Sequence, residues 1–104
     1  MPFDIEATLK AMAEAAGASL LEESQSARDA LGQVLEDQRE AFATIAAAHQ
    51  AGDIDDEQLE DQLDDEKVAF RAGLSMVKAI TKASVQKAAN AAFDVLIRAI
   101  RAAV

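Results

Sequence analysis

Residues 50–59 read Gln-Ala-Gly-Asp-Ile-Asp-Asp-Glu-Gln-Leu and carry the signals that end one helix and begin another. Gly52 can adopt the left-handed conformation that closes a helix. Asp55 can cap the next helix, and Gln58 completes a capping box three residues later. Ile54 and Leu59 flank that cap at the spacing of a hydrophobic staple. The chain is therefore predicted to turn at its midpoint, so that two halves of similar length can lie antiparallel.

The composition indicates an all-α protein with a single domain over residues 1–104. Hydrophobic residues, many of them alanine, make up 51% of the chain, and the one proline is at position 2. Alanine favours helices, and no residue after Pro2 lacks a backbone N–H. The chain has no cysteine, which excludes disulfides and thiolate ligands from it. Charges spread through the first twenty residues leave no segment typical of a signal peptide or a membrane helix, so we expect a cytoplasmic protein.

The spacing of apolar residues predicts three helices, at about 4–16, 20–50 and 55–103. Asp4 is expected to cap the first helix, and Gly17 to end it before a second capping box formed by Ser19 and Glu22. Alternatively, Gly17 stays inside one longer helix at a cost of about 1 kcal/mol relative to alanine. A break of the last helix near residues 73–75 would give four helices instead of three.

The predicted architecture is a long antiparallel helical hairpin, with residues 20–50 against 55–85 and the short N-terminal helix near the C-terminal end of the last one. This register brings Gly32 next to Gly73, where two missing side chains would let the helices approach closely. The predicted core consists of Leu31, Leu35, Phe42, Ile45, Leu59, Leu63, Phe70, Leu74, Val77, Phe93, Leu96 and Ile100.

The last third of the chain is apolar around most of a helix. Most of its polar residues follow a single narrow stripe: Arg71, Ser75, Lys78, Lys82, Gln86, Asn90, Asp94, Arg98 and Arg101. The polar exceptions on this long apolar helix are Thr81, Ser84 and Lys87. A helix of this kind must be buried on several sides, and an elongated hairpin cannot cover it. We therefore expect a homodimer or a higher oligomer, assembled as a helical bundle.

Charge is distributed unevenly between the two ends of the sequence. Residues 1–66 contain eighteen acids and three bases, whereas residues 67–104 contain one acid and seven bases. In an antiparallel dimer, the acidic residues 53–66 of one copy would lie near the basic residues 78–87 of the other.

No group of residues in the sequence indicates catalysis, cofactor binding or metal binding. His49 is the only histidine and is interpreted as a partly buried residue at a helix end. Asp53, Asp55 and Glu57 have the spacing of a calcium loop, but Gln58 stands where that loop requires glycine, and the twelfth residue, Asp64, is not the usual glutamate. These acids are therefore interpreted as a solvated helix face. We expect that the protein is not an enzyme.

Two functions fit this sequence. The first is a non-enzymatic structural or protein–protein interaction module, such as a small subunit, adaptor or inhibitor, that binds itself or another helical protein. The alternative is a peripheral membrane or lipid-binding protein that uses the basic segment 74–104. That segment has no Tyr or Trp for base stacking or for anchoring at a membrane interface, so nucleic acid is not an expected partner and a membrane is the less favoured one.

Overall fold

The computed structural model describes residues 3–20, 25–77 and 80–103, and this part of the chain forms four helices. They are α1 (Ile5–Ala18), α2 (Gln25–Gln50), α3 (Asp56–Ser75) and α4 (Lys82–Ala102). No strand occurs among these residues. The expectation of an all-α protein is therefore confirmed. The principal extents are 41 × 22 × 18 Å, so the helices fold back on one another instead of forming one elongated hairpin.

The turn between α2 and α3 forms as its sequence predicts. Gly52 has a φ angle of +81°, the left-handed conformation that few other residues adopt readily. The Asp55 carboxylate accepts a hydrogen bond of 2.8 Å from the backbone N–H of Gln58, and the Gln58 side chain accepts one of 2.9 Å from the N–H of Asp55. Leu59 is fully buried and Ile54 is partly buried against the core. The capping box therefore fixes where α3 begins.

The first helix begins as expected and ends later than expected. The Asp4 carboxylate accepts a hydrogen bond from the N–H of Ala7, which caps α1. The helix runs through Gly17 to Ala18, two residues past the predicted end, so Gly17 lies inside α1 and does not end it. The predicted break between the first two helices is confirmed, because the chain turns at Ser19 and Leu20. Ser19 has helical angles and its N–H bonds back into α1, whereas a residue that caps the start of a helix is extended. Its proposed partner Glu22 lies outside the described residues.

The start predicted for the second helix is also wrong. Leu20 lies in a turn and is fully buried, and α2 begins at Gln25. The alternative, a single long helix that continues from the first predicted helix into the second, is not formed either, because the chain turns at Ser19 and Leu20.

The single helix predicted over residues 55–103 is wrong, because the chain breaks between α3 and α4. The four-helix alternative is correct, although Gly73 and Ser75 lie inside α3 and the break follows them. Thr81 is extended, and its hydroxyl accepts a hydrogen bond of 3.1 Å from the N–H of Ser84, so it caps α4.

The balance of energies favours this break. The few backbone hydrogen bonds lost at a break cost about 0.5–1.5 kcal/mol each, whereas burying a large apolar side chain contributes about 1.5–3 kcal/mol. Since the break lets many such side chains of α4 enter the core, burial favours it.

The helices pack so that α1 lies mainly on α4 and α2 mainly on α3. Phe93 of α4 is at the centre, with its ring 5.6 Å from those of Phe42 and Phe70 in edge-to-face arrangements. All the predicted core residues are buried except Val77, which is half-buried because it lies in the turn after α3. The predicted contact between Gly32 and Gly73 is wrong. Gly32 is exposed, and Gly73 faces the side chain of Val34.

Most large apolar residues of α4 and the preceding turn are buried inside one chain. Val85, Phe93, Leu96 and Ile100 are each at most 6% exposed, and Ile80 is 8% exposed. A second copy is therefore not needed to cover them. This removes the reason for which the sequence led us to expect an oligomer.

Candidate interaction surface

The only histidine of the sequence joins two helix ends. His49, in the last turn of α2, places its Nε2 atom 2.8 Å from a carboxylate oxygen of Asp56 in the first turn of α3. The His49 side chain is 8% exposed, and its Nδ1 atom is buried without a partner among the described residues. An imidazole held in this way stabilises the turn between α2 and α3 and offers little surface to a substrate.

The acidic residues of α3 divide into two groups. Asp56 contacts His49. Glu60 accepts a hydrogen bond of 2.8 Å from Arg101, and the Glu66 carboxylate accepts one of 3.0 Å from the Gln38 amide. Asp61, Asp64 and Asp65 are exposed and form no ion pair within the described part of the chain. No group of three metal-ligating side chains suited to an ion occurs among the described residues. Glu57 is likewise exposed and forms no ion pair among the described residues. These four carboxylates therefore give the N-terminal half of α3 an uncompensated negative surface.

The C-terminal half of α3 carries an exposed apolar face that extends to Met76, the residue directly after the helix. Among the described residues, the exposed large hydrophobic side chains are Val68, at 56%, and Met76, at 84%. Ala69 and Ala72 are also exposed and lie between them. Residues four apart on a helix lie on the same side, so these residues form one continuous face, here named the α3 ridge (Val68, Ala69, Ala72 and Met76). The ridge points away from the core, because the buried residues of α3 lie on the opposite side of the helix.

Charges of opposite sign lie beyond the two ends of the α3 ridge. Asp61, Asp64 and Asp65 precede it on α3. Beyond its other end, the chain turns and α4 begins with the exposed Lys82. Arg71, beside the ridge, donates a hydrogen bond of 3.0 Å to Gln86, which lies one turn after Lys82 on α4. The start of α4 therefore lies next to the end of α3. The surface is therefore negative at one end, apolar in the middle and positive at the other end.

Three shallow grooves lie between the described helices. One of about 360 Å³ lies between α3 and α4, with an apolar floor that includes Leu63 and Phe93 and a rim that includes Glu60 and Asp94. A second, of about 260 Å³, lies between α1 and α4 and is lined mainly by alanine. A third, of about 320 Å³, lies between α2 and α3, with Asp65 among its lining residues. None of these grooves brings together the nucleophile, base and oriented partner that covalent or acid–base catalysis requires.

Comparisons with protein-family models, with curated proteins and with solved structures find no match to this chain. Among the described residues, no helix combines the length and the apolar character that crossing a membrane requires.

The α3 ridge was not predicted from the sequence, although a signal for it is present. The buried stripe of α3 was identified from Leu59, Leu63, Phe70 and Leu74. Val68 comes nine residues after Leu59. Since successive helical residues are rotated by about 100°, this places Val68 on the side opposite the buried stripe. An apolar residue on the solvent-facing side of a helix was the sequence signal for this exposed apolar face.

Proposed function

We propose that this protein is a non-enzymatic helical interaction module and that its contact surface is the α3 ridge with the charges at either end. The observation that carries this proposal is the exposure of Val68 and Met76 on one face of a helix whose opposite face supplies the core. Scattered single hydrophobic residues on a surface need no explanation, but a continuous apolar face with a polar rim is typical of a protein contact. The module would serve as a small subunit, adaptor or inhibitor in the cytoplasm, with itself or another helical protein as its partner.

The polar side chains that could act in catalysis have structural contacts or face solvent, which supports a non-catalytic role. His49 is occupied in the turn between α2 and α3, and Asp55 is occupied in capping α3. The other acids of α3 are exposed to solvent, except Glu66, which accepts a hydrogen bond from Gln38. Exposed carboxylates have little capacity to act as general acids or bases at neutral pH.

The alternative, a membrane-binding role for residues 74–104, receives less support. An amphipathic helix binds a bilayer by inserting its apolar face. In α4 that face includes Phe93, Leu96 and Ile100, which are buried against the other helices. Insertion would require α4 to leave the core, so we favour a protein partner.

A site-specific photo-cross-linker tests the interaction module in the cells that make the protein. Benzoylphenylalanine at position 76 would sit on the α3 ridge, and the matched control carries it at the exposed Gln33 of α2. We expect discrete covalent adducts from position 76, with their yield reduced by Val68→Asp, and none above background from position 33. If position 76 gives no more adducts than position 33, the ridge is not a contact surface and the proposal is wrong.

A further inference from the structure

We infer that the occupant of the α3 ridge is a second copy of this chain, packed antiparallel through α3 around a two-fold axis at Ala72. This inference rests on the proposed function, since it names the partner of the same surface. It differs from the oligomer expected from the sequence, in which α4 was the buried element. Here each chain keeps its own four-helix core, and only the exposed face of α3 is shared.

The spacing of large and small side chains on the α3 ridge is self-complementary. Val68, Ala72 and Met76 follow one another at intervals of four residues, so the ridge extends about 12 Å along the helix. A two-fold axis at the central alanine places Val68 of each copy opposite Met76 of the other. The alanines at the centre let the two helices approach closely, and the flexible methionine can fill the space beside valine.

The charges are complementary under the same operation. The antiparallel arrangement turns the acidic half of α3 in one copy toward the end of the other copy at which α4 begins. Asp64 of one chain therefore comes into the neighbourhood of Lys82 of the other, and the reverse pair forms by symmetry. A parallel arrangement would instead place the acids of both copies together.

The size of the α3 ridge limits the strength of this dimer. Stable interfaces bury about 1,200–2,000 Å² in total, and four ridge residues per copy cannot supply that much. We therefore expect a weak dimer whose fraction rises with protein concentration. Salt should lower its affinity, because its charged pairs are exposed.

Disulfide trapping tests the position of the two-fold axis. The chain has no cysteine, so a single introduced thiol can pair only with its own copy in another molecule. Ala72→Cys places two thiols across the axis, where a disulfide can form. The matched control is Ala47→Cys, another exposed alanine within a helix. Under mild oxidation of the purified full chain, we expect Ala72→Cys to form a covalent dimer at least tenfold faster than Ala47→Cys. Equal rates would overturn the arrangement.

Charge exchange tests the orientation independently. Asp64→Lys and Lys82→Asp should each weaken dimerisation, measured by sedimentation equilibrium, by about threefold to tenfold, and the double variant should recover most of the loss. Both positions are exposed, so an unchanged circular dichroism melt would exclude unfolding as the cause. A double variant weaker than either single variant would overturn the pairing.

The outcomes separate this inference from the function on which it rests. If the purified chain stays monomeric at millimolar concentration while position 76 is cross-linked to another protein in cells, the interaction module stands and self-association is wrong. If the chain sediments with vesicles of anionic lipid and Met76→Asp abolishes this, the occupant is a membrane and both proposals fail.

Discussion

Adding one methyl group at Gly73 should destabilise the protein, although alanine is the better helix former. A Cβ atom at position 73 would lie 2.9 Å from Cγ2 and 3.3 Å from Cγ1 of Val34 on α2. Valine in a helix has one strongly preferred rotamer, so its side chain cannot easily turn away from both contacts. Overpacking of this kind costs about 1–3 kcal/mol, and the helix propensity gained is about 0.5–1 kcal/mol. We therefore expect Gly73→Ala to lower the free energy of unfolding by about 1 kcal/mol, or the Tm by roughly 4–8 °C in a domain of this size.

The same substitution at Gly32 provides a matched control with the opposite sign. Gly32 is exposed in α2, and a Cβ atom there would meet nothing within 4 Å. Gly32→Ala should therefore stabilise by about 0.4–1 kcal/mol. Urea unfolding followed by circular dichroism gives both values. In a Val34→Ala background, Gly73→Ala should become stabilising as well, because the opposing methyl groups are gone. If Gly73→Ala in the wild-type background stabilises as much as Gly32→Ala does, α2 and α3 are not as close as described.

Three further predictions concern the helix starts and the acidic segment. Asp55→Ala should lower the free energy of unfolding by about 1 kcal/mol with the fold retained, and an unchanged melt with unchanged helix content would mean that the capping box does not set the start of α3. Thr81→Ala should cost a similar amount, whereas Thr81→Ser should retain most of the stability; equal melts for the two variants would contradict the cap on α4. Millimolar Ca²⁺ should shift the Tm no more than Mg²⁺ at equal ionic strength, and a selective shift by Ca²⁺ would indicate a calcium site in residues 53–64.

The helix starts differ in how readily the sequence reveals them. Asp4 and the pair Asp55 and Gln58 could be identified because capping depends on residues only three apart in the chain. Thr81 caps α4 by the same chemistry, but it was interpreted as a polar exception on a long apolar helix. No glycine or proline marks the turn before it. That break could not be inferred locally, because it depends on the burial of Phe93 against Phe42 and Phe70, residues far away in sequence.

The apolar last third of the sequence can be buried in two ways, and the turn between α3 and α4 decides between them. If residues 55–103 formed one helix, its apolar sides would need a second chain, as the sequence led us to expect. With the turn formed, the same side chains are buried within one chain, and the exposed large apolar residues among those described are Val68 and Met76. The spacing of the apolar residues correctly identified those that face inward. It carries no information on whether the helix that packs on them belongs to the same molecule or to another. The turn thus leaves the α3 ridge as the exposed apolar surface of the described residues, and the association that we propose through it must be weak because the ridge is small.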